Sequence, residues 1–342
     1  MKQTYSGLDV LKVLAAIGIV AIHTGATGLN TIGRLGVPFF AIVSSMLFFK
    51  KYQILADTER KHYLGHFLKR LGLLFLCWQI FYLPSAALYL VQDVHKRGTA
   101  MGIAHFIRHF IFPPLPLTNG WGQSWYLIGM LIALPLFLLL LKFLGKWIVA
   151  VLCVLLYLFY IDYNTGYRFW NGIRYLPHSL VYFLGPIGNN SFPILLTYVG
   201  IGMLIANYLP RLIAGPVHPF IWLGGVGLIL YLIENILFWS LTGKIDNMTV
   251  LLTAPTSALL VLAGIKWPLN LRRDIFWRRF STFLYCIHIG IIHCFDISKI
   301  ILHVQLNAYL VMLLTLILSF IVYLLFNYLL ERRHWHWLNW LV

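Results

Sequence analysis

Acidic side chains are scarce in this sequence: ten Asp and Glu stand among 342 residues, against 26 Lys and Arg. Charged residues of either sign make up 11% and hydrophobic ones 60%, whereas soluble domains carry about 25% charged residues. That balance excludes an ordinary soluble domain. Cysteine is also sparse, at four. Cys77, Cys153, Cys286 and Cys294 all fall within apolar runs, so reduced, packed thiols are expected rather than a disulfide framework. No long polar stretch and no Gly/Ser- or Pro-rich linker separates two compositions, which predicts one domain over 1–342.

What the chain has instead is apolar runs long enough to cross a hydrocarbon core of ~30 Å, which takes about 20 helical residues. Ten are expected, over 8–24, 35–50, 70–91, 124–142, 147–161, 192–209, 217–240, 248–265, 281–295 and 307–330. The fold class that follows is all-α, a polytopic bundle in a lipid bilayer. The first run begins with Asp9 and Lys12 and is followed by no small-x-small cleavage pattern, so it is expected to stay as a helix.

The net charge of +16 would suit a nucleic-acid partner, but its distribution points to the membrane. With the N-terminus in the cytoplasm, seventeen Lys and Arg fall in inner segments and eight in outer ones. This positive-inside bias predicts that both termini are cytoplasmic, and no nucleic-acid partner is expected. The cluster "LRRDIFWRRF" at 271–280 reads first as a topogenic loop beside anionic lipid and second as a source of phosphate-binding arginines.

Two outer segments exceed what topology needs. In "GIAHFIRHFIF", His105, Arg108 and His109 take one helical face and Ile103, Phe106, Ile107 and Phe110 the other, as in an amphipathic interfacial helix. The His105/His109 spacing suits a metal, but no acidic or third ligand stands nearby in sequence, so no metal site is predicted. The segment 162–191 sets Arg168 and Arg174 among Tyr167, Trp170 and Tyr175. Such a surface can cradle a sugar or an anion, although Trp and Tyr also gather at membrane interfaces for no functional reason.

The stretch "LDVLKVLAAIGIVAIHTG" at 8–25 is the sharpest signal. Lys12 and His23 lie eleven residues apart, about three turns plus 20° and ~16 Å along the axis, with Asp9 within about 60° of both. An ionisable stripe inside a membrane is costly and by default faces a cavity or pathway. Taken singly, Asp9 and Lys12 also read as an interfacial ion pair and His23 as an outer polar residue.

The Asp-x2-Lys-x10-His spacing resembles the Arg-x10-His signature of the membrane-bound acyltransferase family 3, integral-membrane O-acyltransferases of bacterial glycans. "LGVPFFAIVSSMLFF" (35–49) resembles the family's Gly-Val, Phe-Phe and Ser-Gly segment, "SWYLIGMLIALPL" (124–136) its Trp-Tyr-Leu helix, and "FSTFLYCIHIGII" (280–292) its Ser-x-x-x-Tyr-x-x-His helix. Two departures stand out. Lys12 replaces the usual Arg and loses the planar fork, as in a branch that resembles the intercellular-adhesin polysaccharide acyltransferases and the membrane half of vancomycin-resistance serine racemases. Ser45 stands where Gly is usual.

The resemblance implies transfer of an acyl group, expected to be acetyl, from cytoplasmic acyl-CoA to a hydroxyl of an extracytoplasmic or lipid-linked glycan. Acyl-CoA is then a co-substrate, with no bound cofactor and no metal, and the location a bacterial plasma membrane. The expected catalytic residues are His23 as base, Asp9, Lys12 and His288, with His293 weaker. Lys12, Lys69, Arg70, Arg272 and Arg273 are placed to hold CoA. Ser44, Trp125, Tyr126, Arg168, Arg174, Glu234 and Tyr285 are candidates for the substrate cavity, Glu234 also reading as a structural ion-pair partner of Arg34 or Arg174. The alternative is a transporter of an amino acid or glycan precursor along the same stripe.

Overall fold

The computed structural model describes residues 5–111, 122–165, 192–243, 250–269, 271, 273–303, 305–333 and 335–342. The described residues are helical, without strands. In chain order the helices are α1 (Ser6–Thr24), α2 (Leu29–Gly33), α3 (Gly36–Tyr52), α4 (Asp57–Phe81), α5 (Leu83–Arg97), α6 (Thr99–Ile111), α7 (Trp125–Thr165), α8 (Phe192–Ala214), α9 (His218–Thr242), α10 (Thr253–Lys266), α11 (Asp274–Leu302) and α12 (Ala308–Arg332).

Among the described residues seven helices are long and apolar enough to cross a membrane, and eight if the bent pair α4 and α5 forms one span. The chain is therefore a multi-pass membrane protein, and the difference from ten has local causes. The run at 70–91 bends by 68° between α4 and α5, where Pro84 enters the first turn of α5 without an N–H to continue the ladder. The range given as α7 holds two helices, matching the runs at 124–142 and 147–161, which meet at Gly145, whose φ of 78° is not helical and is a conformation that glycine takes at no steric cost. The run at 248–265 is helical only from Thr253 and gives fourteen residues. Conversely, α11 begins at Asp274, so part of the basic cluster read as a loop lies on the helix.

The contacts divide the chain into two compact units, Met1–Ile54 with Ile201–Trp340 and Val342, and Leu55–Gly200 with Leu341. In the first, α1 is central and packs against α2, α3, α10, α11 and α12. Backbones meet closely where side chains vanish: a Cβ on Gly33 would fall 2.0 Å from the Gly18 carbonyl oxygen, and one on Gly7 2.5 Å from that of Gly264. The apolar faces of α3 supply much of the core through Phe39, Ile42, Met46 and Phe49. On α9 and α12, by contrast, Trp222, Ile229, Leu313 and Leu325 are exposed, an apolar outer surface suited to lipid.

The ends of this unit are chemically different. Near the start of α1, Lys50 donates to the Tyr5 hydroxyl at 2.8 Å and Lys266 to the Ile213 carbonyl at 2.7 Å. Arg279 donates to Asn339 at 3.2 Å, so the N- and C-terminal segments lie at the same, basic end. At the other end the Tyr309 hydroxyl donates to the Thr27 carbonyl at 2.7 Å.

The second unit contains α4 to α7 and the first part of α8. The Thr197 hydroxyl of α8 donates to the Cys153 carbonyl of α7 at 2.8 Å. Helices α5 and α6 form a tight hairpin, in which a Cβ on Gly102 would fall 2.5 Å from the Val94 Cα.

Candidate active site

Helices α1 and α11 run in the same direction and meet through polar pairs that climb both together. The Ser6 hydroxyl donates to Asp274 Oδ2 at 3.5 Å. Next, Arg278 donates to Asp9 through Nε at 3.1 Å and Nη2 at 2.9 Å. At the far end the His23 and His288 rings have centroids 5.1 Å apart. The sequence explains the α11 side: Arg278, Ser281, Tyr285 and His288 recur at i, i+3, i+7 and i+10, within an arc of about 80°. This stripe faces the Asp9–Lys12–His23 stripe of α1.

The basic end of the pair is a three-residue ion cluster. Asp9 is buried, and Lys12 Nζ lies 3.4 Å from Asp9 Oδ1, looser than the two contacts from Arg278. A carboxylate removed from water needs a charged, hydrogen-bonded partner, and the guanidinium fork meets both oxygens of Asp9. The pairing of Arg278 with Asp9 is what the sequence does not show: Asp9 reads as matched with Lys12, three residues on, while its stronger partner comes from a helix 269 residues away.

The His23 end is built differently. His288 has no exposed surface, whereas His23 is exposed at the last turn of α1. Gly25, with φ 72°, terminates α1 just beyond His23. His288 Nδ1 lies 3.0 Å from the Leu284 carbonyl. A carbonyl only accepts, so Nδ1 is the protonated nitrogen and Nε2 of the neutral ring keeps its lone pair. That buried Nε2 has no hydrogen-bond partner among the described residues. Tyr285 stands 6.3 Å from His288, and Phe40 of α3 stands 6.0 Å from Tyr285, ring centre to ring centre. The arrangement offers an accessible imidazole backed by a second one whose tautomer the backbone sets, which suits proton transfer.

The remaining candidates fall elsewhere. Ser44 is half-buried on α3 beside Ser45, whose buried hydroxyl has no hydrogen-bond partner. Ser45 is also a close-packing position: a Cβ on Gly202 would meet its Cβ at 2.6 Å. Glu234 accepts from the Leu251 and Leu252 N–H groups at 2.9 and 2.8 Å, tying α9 to the turn before α10. Arg273 is exposed just before α11, with φ 68°. His293 is half-buried, farther along α11 than His288. In the second unit, Lys69 and Arg70 are exposed on α4, Trp125 is half-buried at the start of α7 and Tyr126 is buried beside it. Arg168, Arg174 and Arg272 lie outside the described residues.

His105 does have an acidic neighbour, contrary to the expectation from sequence: Asp93 of α5 lies 3.0 Å from its Nδ1. The pair closes the α5–α6 hairpin. Among the described residues no group of three His, Cys, Asp or Glu is placed to hold a metal.

A polar stripe on α12 also escaped the sequence reading, hidden in one of the most apolar helices. Thr315, Ser319, Tyr323 and Asn327 recur every four residues. Thr315, Ser319 and Tyr323 are fully buried, and the Tyr323 hydroxyl donates to the Phe276 carbonyl of α11 at 2.8 Å. The period-four recurrence was the available signal.

No curated protein and no solved structure matches the chain. The family model described as an acyltransferase domain, that of acyltransferase family 3, matches residues 5–330. That match takes in both polar stripes and every helix that carries them, and the chain belongs to the acyltransferase 3 family.

Proposed function

We propose that this acyltransferase moves an acetyl group from cytoplasmic acetyl-CoA to a hydroxyl of an extracytoplasmic or lipid-linked glycan, in the Lys-bearing branch of its family and in a bacterial plasma membrane. The observation that carries the reading is the His23–His288 pair, 5.1 Å apart, at the opposite end of α1 and midway along α11 from the Asp9–Lys12–Arg278 cluster. His23 lies ~16 Å along α1 from Lys12, about half of a ~30 Å hydrocarbon core. A thioester entering from the basic end and a hydroxyl entering from the other can meet at that depth.

The chemistry assigned to the pair is one displacement. His23 accepts the proton of the acceptor hydroxyl as its oxygen bonds to the thioester carbonyl carbon. The carbon–sulfur bond then breaks, and the imidazolium returns the proton to the leaving thiolate, giving ester and free CoA. His23 takes the role of base because it is accessible; His288, sealed behind it, holds the ring in place. Within the first unit, Lys12, Arg273 and Arg272 are assigned to the donor's phosphates, and Ser44 and Tyr285 to the acceptor. Glu234 keeps both readings, a structural one through the backbone N–H groups of Leu251 and Leu252 and an acceptor-binding one.

The test uses purified protein in proteoliposomes with radiolabelled acetyl-CoA outside and extracted envelope glycan as acceptor. Label in the glycan supports the enzyme. Uptake of a labelled amino acid, with acetyl-CoA left intact, supports a transporter instead.

A further inference from the structure

Arg278 uses only part of its guanidinium on Asp9. Nε and Nη2 make the fork at 3.1 and 2.9 Å, while Nη1 donates to nothing among the described residues. The side chain is 46% exposed, whereas that of Asp9 is 2% exposed. A buried carboxylate thus grips one edge of the guanidinium of a half-exposed side chain. Arginine side chains carry large rotamer freedom, and a fork fixed from behind removes it before any ligand arrives.

The surroundings favour an anion. Lys12 Nζ lies on the same carboxylate at 3.4 Å. Arg273 is exposed less than two turns earlier, and Lys50, Lys266 and Arg279 lie at the same end of the unit. The nearby Asp274 carboxylate is turned toward α1, where its Oδ2 accepts from the Ser6 hydroxyl. A planar, pre-aimed guanidinium among cations recognises phosphate oxygens in particular.

We propose that Arg278 binds a phosphate group of the acyl donor and that Asp9 is the positioning residue that aims it. This rests on the acyl-CoA reading above and assigns the donor subsite to a residue of α11, with Lys12 beside it. The buried carboxylate then serves Arg278 first and Lys12 second.

Calorimetric titration of the full chain in nanodiscs with CoA and, separately, with phosphate-free pantetheine tests this without any turnover. The wild type binds CoA more tightly than pantetheine. Arg278→Gln weakens CoA about 10- to 150-fold, the worth of one charge-assisted contact, and leaves pantetheine unchanged. Arg278→Lys, which keeps the charge and a partner for Asp9 but has no second edge, falls between. Asp9→Asn weakens CoA by less than Arg278→Gln and again spares pantetheine. Equal CoA affinity in wild type and Arg278→Gln overturns the proposal, as does a wild type that does not distinguish CoA from pantetheine. A wild type that binds CoA through Arg278 yet moves no acetyl group overturns the acyltransfer reading alone.

Discussion

His23 and His288 face each other across α1 and α11 with ring centroids 5.1 Å apart, one accessible and the other without exposed surface. Their replacements therefore behave differently. His23→Ala removes an exposed ring that contributes little packing, so its melting temperature stays close to that of the wild type. His288→Asn keeps an N–H for the Leu284 carbonyl and preserves the fold, but loses the imidazole. Acyl transfer falls by about 10²–10⁴-fold in His23→Ala and at least tenfold in His288→Asn. Thermal unfolding and rate measurements on both variants check this, and wild-type rates in His23→Ala would remove it as the base.

The Asp9–Arg278 pair predicts an asymmetry in stability. Arg278→Gln strands a carboxylate that is only 2% exposed, and breaking a buried pair from that side costs about 3–5 kcal/mol, less whatever Lys12 recovers. Asp9→Asn costs less, because the half-exposed Arg278 can turn to water. Detergent melts of the two variants should place Arg278→Gln below Asp9→Asn; the reverse order contradicts the burial argument.

Close helix contacts predict a contrast between two glycines. Gly33→Ala drives a methyl to within 2.0 Å of the Gly18 carbonyl oxygen, backbone that cannot rotate away, and should destabilise by about 1–3 kcal/mol. A Cβ on Gly72 meets nothing within 4 Å, so Gly72→Ala should leave the melting temperature unchanged or raise it. Equal melting temperatures for the two variants would contradict the α1–α2 contact.

The sorting of basic residues to one end of the first unit predicts its orientation. On a background with the exposed Cys294 replaced by Ser, a cysteine at position 275, where Ile is 61% exposed, should resist impermeant maleimide in intact cells. One at position 29, where Leu is 42% exposed, should react. The opposite labelling pattern inverts the membrane orientation and the side from which CoA enters.

Much of this was legible in the sequence because the α1 stripe is local: Asp9, Lys12 and His23 fall on one face by helical geometry alone. His288 could be singled out within its own apolar run for the same reason. Partners across helices were not legible. Asp9 seemed matched by Lys12, and nothing in one sequence says that Arg278 arrives from 269 residues away. Treating 271–280 as a loop hid the turn that aims it. Hydropathy likewise sees neither the break at Pro84 nor the helix start at Thr253. Nor does the sequence show that Glu234 accepts the backbone donors of Leu251 and Leu252, which come from the turn before the next helix.

The central claim is that His23, at the far end of α1 from the donor's phosphates, takes the acceptor's proton during acyl transfer. The most direct measurement is a single-turnover reaction in nanodiscs, with radiolabelled acetyl-CoA and envelope glycan, comparing wild type with His23→Ala at saturating CoA. The account predicts label in the glycan and one free CoA thiol per label in the wild type, and neither above background in His23→Ala although CoA still binds. Label transfer at the wild-type rate in His23→Ala, or thiol release without glycan label in the wild type, would contradict it.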